Sequence, residues 1–253
     1  MKLADKVAII TGAGGGIGRA YALRFGEEGA KVVIADIVRE NVQRVAGELE
    51  ERGVEALAVH VDIADEPSTL KMAEETLARF GRIDILVNNA ALYGGFGVKA
   101  WDAWTIEDWR RSFDINVVGS WRCIKAVVPH MISRGKGKII NIGSSTFDLG
   151  IYQLLPYTCS KAAIVALTRS LARALGRHGI NVNCISPGFT LSDASLKMTG
   201  ENNPYNERVK AGRSLRRDEQ PEDLVGTAVF LASADSDFLT GQTIRVHGGE
   251  TAV

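Results

Sequence analysis

Short runs of consecutive apolar residues alternate with longer amphipathic stretches along nearly the whole chain. Runs such as Ala8-Ile9-Ile10 and Val32-Val33-Ile34 carry no polar alternation. A strand of that kind is buried on both faces, as in a parallel sheet covered by helices on each side. The pattern predicts strands at 7–11, 31–36, 55–62, 83–88, 137–143, 180–186 and 243–247. Helices are predicted at 17–28, 40–52, 67–80, 106–133, 157–177 and 221–232. Repeated βα units with right-handed crossovers build a doubly wound α/β sheet of about seven strands. No Pro/Ser-rich linker breaks the pattern, so residues 1–253 are expected to form a single domain. The stretch 189–220 stands apart: polar, weakly periodic, and expected to be a mobile substrate lid.

Composition narrows the function. Thirty basic residues balance thirty acidic ones, so no global field favours nucleic acid or an anionic membrane as a partner. Cys123, Cys159 and Cys184 are too few and too scattered for a disulfide framework, and their spacing fits no metal site. Reduced thiols and the absence of an apolar run of signal or membrane length lead us to expect a cytoplasmic protein.

Candidate chemistry starts where the first strand gives way to the first helix. There Thr11-Gly12-Ala13-Gly14-Gly15-Gly16-Ile17-Gly18 fits a G-x-x-x-G-x-G spacing at Gly12, Gly16 and Gly18 rather than G-x-G-x-x-G. Glycine permits both the tight turn and close backbone approach to a pyrophosphate, whose charge the helix N-terminus favours. Asp36 ends the second strand about 20 residues further on, where a dinucleotide fold uses an acid for the adenosine ribose. A carboxylate there repels a 2′-phosphate, so NAD is expected as cofactor over NADP; Arg39 is the nearby cation that would oppose this.

Tyr157 and Lys161 are four residues apart on a predicted helix, one turn apart on a shared face. An ammonium about 4 Å from a phenol favours the phenolate by about 4 kcal/mol at an effective dielectric near 20, bringing it towards neutrality. Together, Thr11–Gly18, Asn88-Asn89-Ala90, Ser144, Tyr157-Thr158-Cys159-Ser160-Lys161 and Pro187-Gly188 resemble the short-chain dehydrogenase/reductase family over nearly the whole chain. That resemblance implies a Rossmann-type domain and a homotetramer. It also implies hydride transfer between nicotinamide and a small-molecule alcohol or ketone, with no metal. Tyr157 is then the acid/base and Ser144 polarises the substrate oxygen. Lys161 lowers the phenol pKa and holds the nicotinamide ribose, and Asn116 holds a relay water. Cofactor contacts carried over are Gly12, Gly16, Ile17 and Gly18; Asp36, Asp62 and Ile63; Asn88, Asn89 and Ala90; and Pro187, Gly188, Thr190 and Ser192.

Two departures from the family pattern are Ala91, after Asn-Asn-Ala, and His247 before Gly248-Gly249, read as a terminal-strand or interface feature. Trp101 and Trp104, with Phe147, Tyr152, Leu154 and Leu155, are expected to form an apolar wall for a fairly hydrophobic secondary alcohol. Alternatives are an NADPH-dependent 3-oxoacyl-acyl-carrier-protein-type ketoreductase and, of another class, a non-catalytic NAD-sensing protein. Asp36 argues against the first, and the intact Ser/Tyr/Lys set against the second. A sugar epimerase calls for a larger substrate domain than this chain supplies.

Overall fold

The computed structural model describes residues 1–94, 97–200 and 204–250. The parts of the Leu92–Thr105 loop and of the 189–220 segment that fall at 95–96 and 201–203, and the last three residues of the expected domain, lie outside the described residues.

Seven strands form one parallel sheet: β1 (Val7–Thr11), β2 (Lys31–Asp36), β3 (Ala56–His60), β4 (Ile85–Asn88), β5 (Gly137–Ile142), β6 (Ile180–Pro187) and β7 (Thr243–Val246). Their order is β3-β2-β1-β4-β5-β6-β7. The continuous apolar runs now have a cause. In β1, Ala8 and Ile10 face one core while Val7 and Ile9 face another. The in-register neighbours Val33 and Leu86 join Ile9 in that second core. Helices α1 (Gly16–Glu27), α2 (Arg39–Glu50) and α9 (Glu222–Ala232) close the first core. Helices α3 (Glu66–Phe80), α5 (Ser120–Ser133) and α6 (Leu155–Leu175) close the second. With both faces covered, the central strands need no polar alternation.

Two predicted elements differ. The expected helix at 106–133 is α4 (Ile106–Phe113), a π-helical turn (Asp114–Gly119) and α5, one continuous rod with a widened middle. A Cβ on Gly119, in that turn, would fall 2.9 Å from Ile63, so the rod presses close to the loop after β3. The described parts of the 189–220 segment are not irregular. It carries α7 (Asp193–Thr199) and α8 (Pro204–Gly212). A Ser192/Ser195 capping box starts α7. Both helices are short, which is why their period was faint.

β1 and β4 are adjacent, yet their chains leave in opposite directions along the sheet, β1 towards β2 and β4 towards β5. That switch point opens a crevice at the strand C-termini, where ligands bind in such sheets.

Candidate active site

A cavity of about 1070 Å³ occupies this crevice, between the Gly12–Gly18 turn, the ends of β4–β6 and the α7–α8 segment. The glycine turn forms one end. Gly12 adopts φ +65°, and a Cβ on it would come within 2.8 Å of Ala90 Cα. At Gly18 a Cβ would fall 2.2 Å from the Gly12 carbonyl, so only glycine lets α1 start this close to β1. Asn89 clamps the turn from β4, its amide donating to the Thr11 and Gly12 carbonyls at 3.0 Å each. The Thr11 hydroxyl in turn accepts from the Asn89 and Ala90 N–H groups, both at 3.1 Å. Helix α1 begins with no side-chain cap at Gly15, leaving its first N–H groups directed at the cavity. These are the features a dinucleotide pyrophosphate requires, and the residues present fit it.

Asp36 lies at the same end. Its carboxylate accepts from Gly14 N–H at 3.0 Å and Val38 N–H at 3.1 Å, fixing it across the mouth of the turn. Arg39 does not share this corner; it lines a separate depression with His60 and Lys71. The cation that does is Arg44, which donates to the Gly14 carbonyl at 2.7 Å and pairs with Glu48. It is one and a half turns beyond Arg39 on α2, so a choice by proximity to Asp36 in the sequence picked the wrong residue.

At the cavity's other end stand Ser144, just past β5, and Tyr157 and Lys161 on the first turns of α6, all three buried. Tyr93, which sequence reasoning passed over, meets the Tyr157 ring edge-on at 5.0 Å. The Lys161 ammonium donates to the Ile142 carbonyl at 2.8 Å and lies 5.6 Å from the Tyr157 ring centre. Burial pushes this ammonium down to about 8, with Cys184 pulling weakly the other way. The phenol corrects an expectation: burial pushes it up to about 12 rather than towards neutrality, and only a hydrogen bond with Ser144 opposes the rise. Removing a phenolate from water outweighs a lysine charge held this far off.

Asn116 sits in the π-helical turn, almost wholly buried. Its side chain accepts from Leu92 N–H at 2.7 Å and donates to the Ser160 hydroxyl at 2.9 Å. It therefore ties the loop that carries Tyr93 to the helix that carries Tyr157. A π-turn that re-aims one side chain is a common device beside functional sites.

Among the other residues singled out, Ile17, Pro187, Gly188, Thr190 and Ser192 line the cavity. Asp62, Ile63 and Asn88 are not on its described wall. Asp62 caps the turn after β3, accepting from Ala64 N–H at 2.8 Å, and Ile63 is buried in the second core. Asn88 donates to Asn141 at 2.9 Å, and Asn141 to Thr168 at 2.9 Å, a buried polar ladder that locks β4, β5 and α6 together. Of the expected apolar wall only Leu154 faces the cavity. Trp101 is 69% exposed and Tyr152 56%. Phe147 packs on the Ile164–Val165–Cys184 cluster, and Trp104 lies under the Lys99 ammonium at 4.8 Å. Leu155 also lies off the described wall. Val98, Leu149 and Ile151 supply the apolar surface instead. Nothing in their spacing distinguishes them from other loop residues.

Fold, glycine turn and crevice define a dinucleotide-binding enzyme of the doubly wound class. A family model described as enoyl-(acyl carrier protein) reductase matches residues 12–251. The chain is 41% identical over 258 aligned residues to a galactitol 2-dehydrogenase of Agrobacterium fabrum, covering 98% of each. A gluconate 5-dehydrogenase structure from Burkholderia cenocepacia, in complex with NADP and tartrate, superposes with TM-score 0.93 at 34% identity, covering 100% of this chain and 97% of that one. A 3-ketoacyl-(acyl-carrier-protein) reductase from Brucella melitensis, complexed with NADH, gives 0.90 at 32%, covering 98% and 99%. The chain belongs to the short-chain dehydrogenase/reductase family and is an oxidoreductase acting on CH–OH groups or the corresponding ketones. Members of this family use a nicotinamide dinucleotide.

Proposed function

We propose that this protein is a cytoplasmic, homotetrameric, NAD-dependent dehydrogenase of a secondary alcohol, with Tyr157 as its acid/base. The observation that carries the reading is the convergence of Ser144, Tyr157 and Lys161 on one end of a cavity whose other end is the glycine turn. When bound, the oxidised dinucleotide supplies the hydride acceptor and a positive charge at the nicotinamide ring. Tyr157 takes the proton from the substrate hydroxyl oxygen as the C–H bond breaks, and Ser144 donates a hydrogen bond to that oxygen. Lys161 holds the ribose and its charge favours the phenolate, while Asn116 fixes the wall around them. In reduction Tyr157 returns its proton to the ketone oxygen. Leu149, Ile151 and Leu154 receive the substrate's apolar flank, beneath a lid formed by α7 and α8.

Asp36 supports NAD, because a carboxylate held beside the glycine turn would repel a 2′-phosphate. One observation favours the other reading, an NADPH-dependent 3-oxoacyl-type reductase: Arg44 reaches the same corner. Parallel titration decides between them. Tighter binding of NAD by tenfold or more is expected; a preference for NADP would overturn the assignment. The tetramer draws support from Trp121, Ile106 and Ile132, which are exposed on the α4–α5 rod, and from fully exposed Phe238. A monomer in light scattering would refute it.

A further inference from the structure

Beside the catalytic end of the cavity lies a buried charge cluster that the proposed chemistry does not use. Arg213, Glu219 and Glu250 have side chains only 2%, 5% and 8% exposed. Arg213 leads out of α8, Glu219 precedes α9, and Glu250 follows β7. The Arg213 guanidinium stands 3.5 Å from Glu219 and 3.9 Å from Glu250, and donates to the Phe189 carbonyl at 2.8 Å. Glu219 also accepts from the Thr190 hydroxyl at 2.8 Å. A Cβ on Gly188 would fall 2.6 Å from Glu219 Oε2 and 2.8 Å from Glu250 Oε2. Both carboxyl groups therefore press on one face of Gly188, where only a hydrogen fits.

The two acids differ in what they touch. Glu219 is sealed away from the cavity wall. Burial first, and then the Glu250 charge, push its carboxyl up to about 7, against the Thr190 hydrogen bond and Arg213. Glu250 lines the cavity. Among the described residues its side chain accepts one long hydrogen bond, from the Ser145 hydroxyl at 3.3 Å, and Arg213 stays beyond hydrogen-bond distance at 3.9 Å. An ionised carboxylate only accepts and has about four lone-pair sites, so this one holds acceptor capacity towards the cavity. His247 holds it there: its Nδ1 accepts from Glu250 N–H at 3.0 Å and shapes the turn after β7.

We infer that Glu250 is a specificity-determining residue that accepts a hydrogen bond from a second hydroxyl of the substrate, selecting a vicinal diol or polyol over a simple secondary alcohol. Arg213 and Glu219 are positioning residues, holding the carboxylate beside Ser145 and hence beside the reacting oxygen at Ser144. The same carboxylate repels a substrate that carries its own carboxylate at that end. This rests on the dehydrogenase reading, and adds to it the substrate class.

The test compares matched pairs, 2-butanol with 2,3-butanediol and cyclohexanol with 1,2-cyclohexanediol, with NAD in wild type, Glu250→Ala and Glu250→Gln. Wild type is expected to favour each diol in kcat/KM by at least tenfold. Both variants should lose most of that ratio, through KM rather than kcat, while NAD affinity by fluorescence titration reports an intact fold. Should Glu250→Ala fail to fold, the isosteric Glu250→Gln carries the comparison. Turnover with an unchanged ratio in the variants, or a wild type that does not prefer the diols, overturns the role of Glu250 and leaves the dehydrogenase standing. Wild type that binds NAD yet turns over none of the four alcohols overturns the dehydrogenase reading, and this inference with it.

Discussion

The two ends of the sheet treat buried charge in opposite ways. At the N-terminal end Asp84 is surrounded by donors: Val7 N–H at 2.9 Å, Arg82 at 2.6 and 2.8 Å and Arg134 at 3.0 Å. Burial raises its carboxyl, but these hydrogen bonds win and hold it below the usual carboxylate range. Lys138 on β5 is paired with Asp237 at 2.8 Å, which opposes but does not cancel the fall that burial imposes on its ammonium. At the C-terminal end burial wins. It drives the Tyr157 phenol up to about 12, the Lys161 ammonium down to about 8 and Glu219 up to about 7. One end spends its polar groups on each other, and the other keeps them under-satisfied around a cavity. Perturbed groups of the second kind mark functional sites.

If that contrast is correct, substitutions should divide cleanly between activity and stability. The largest effect is expected from Tyr157→Phe, which keeps the ring and removes the hydroxyl proposed to carry the proton: kcat/KM should fall by about a thousandfold, with Tm and NAD affinity nearly unchanged. A loss under tenfold would deny Tyr157 its role. Next comes the pH dependence. Because burial keeps the phenol protonated at neutrality, kcat/KM for alcohol oxidation should climb by up to about tenfold per unit between pH 7 and 9. Ketone reduction, which needs the protonated phenol, should not climb with it; parallel rise of both would break the assignment.

Glu219→Gln probes stability at the cavity end. The folded pKa lies above the ordinary value, so the stability gained from the neutral form is complete below about pH 4.5 and lost as pH rises through about 7. The variant should therefore gain on wild type between pH 5 and 8, by at most about 3 kcal/mol in urea unfolding. A difference independent of pH would contradict the burial effect. Asp84→Ala should do the reverse, costing about 2 kcal/mol because its arginines are partly solvated, while NAD affinity and the alcohol kcat/KM stay within twofold.

Much of the site was legible because its residues are close in sequence. Tyr157 and Lys161 share a helix face by spacing alone, and the glycine turn is a local feature of one βα junction. Asp36 follows from strand length. Arg44 was missed for Arg39 because the choice depends on which face of α2 meets the turn, and that is set by packing on β2 and β3. The tryptophans misled for a similar reason. Their large apolar surface pointed to a wall, but Trp104 found Lys99 and Trp101 found solvent. Arg213, Glu219 and Glu250 could not have been joined on paper, since 37 positions separate Arg213 from Glu250.

What the sequence determined by itself is therefore local and periodic: seven parallel strands, the helices between them, the turn that only glycine permits, and the Tyr/Lys pair one turn apart. Tertiary structure alone decided which polar groups lose water and which find partners. That choice put Tyr157 far from neutrality, drew three distant charges together behind Gly188, and left Glu250 facing the cavity. Desolvation and long-range pairing depend on every element packed around a group, so no window of sequence contains them.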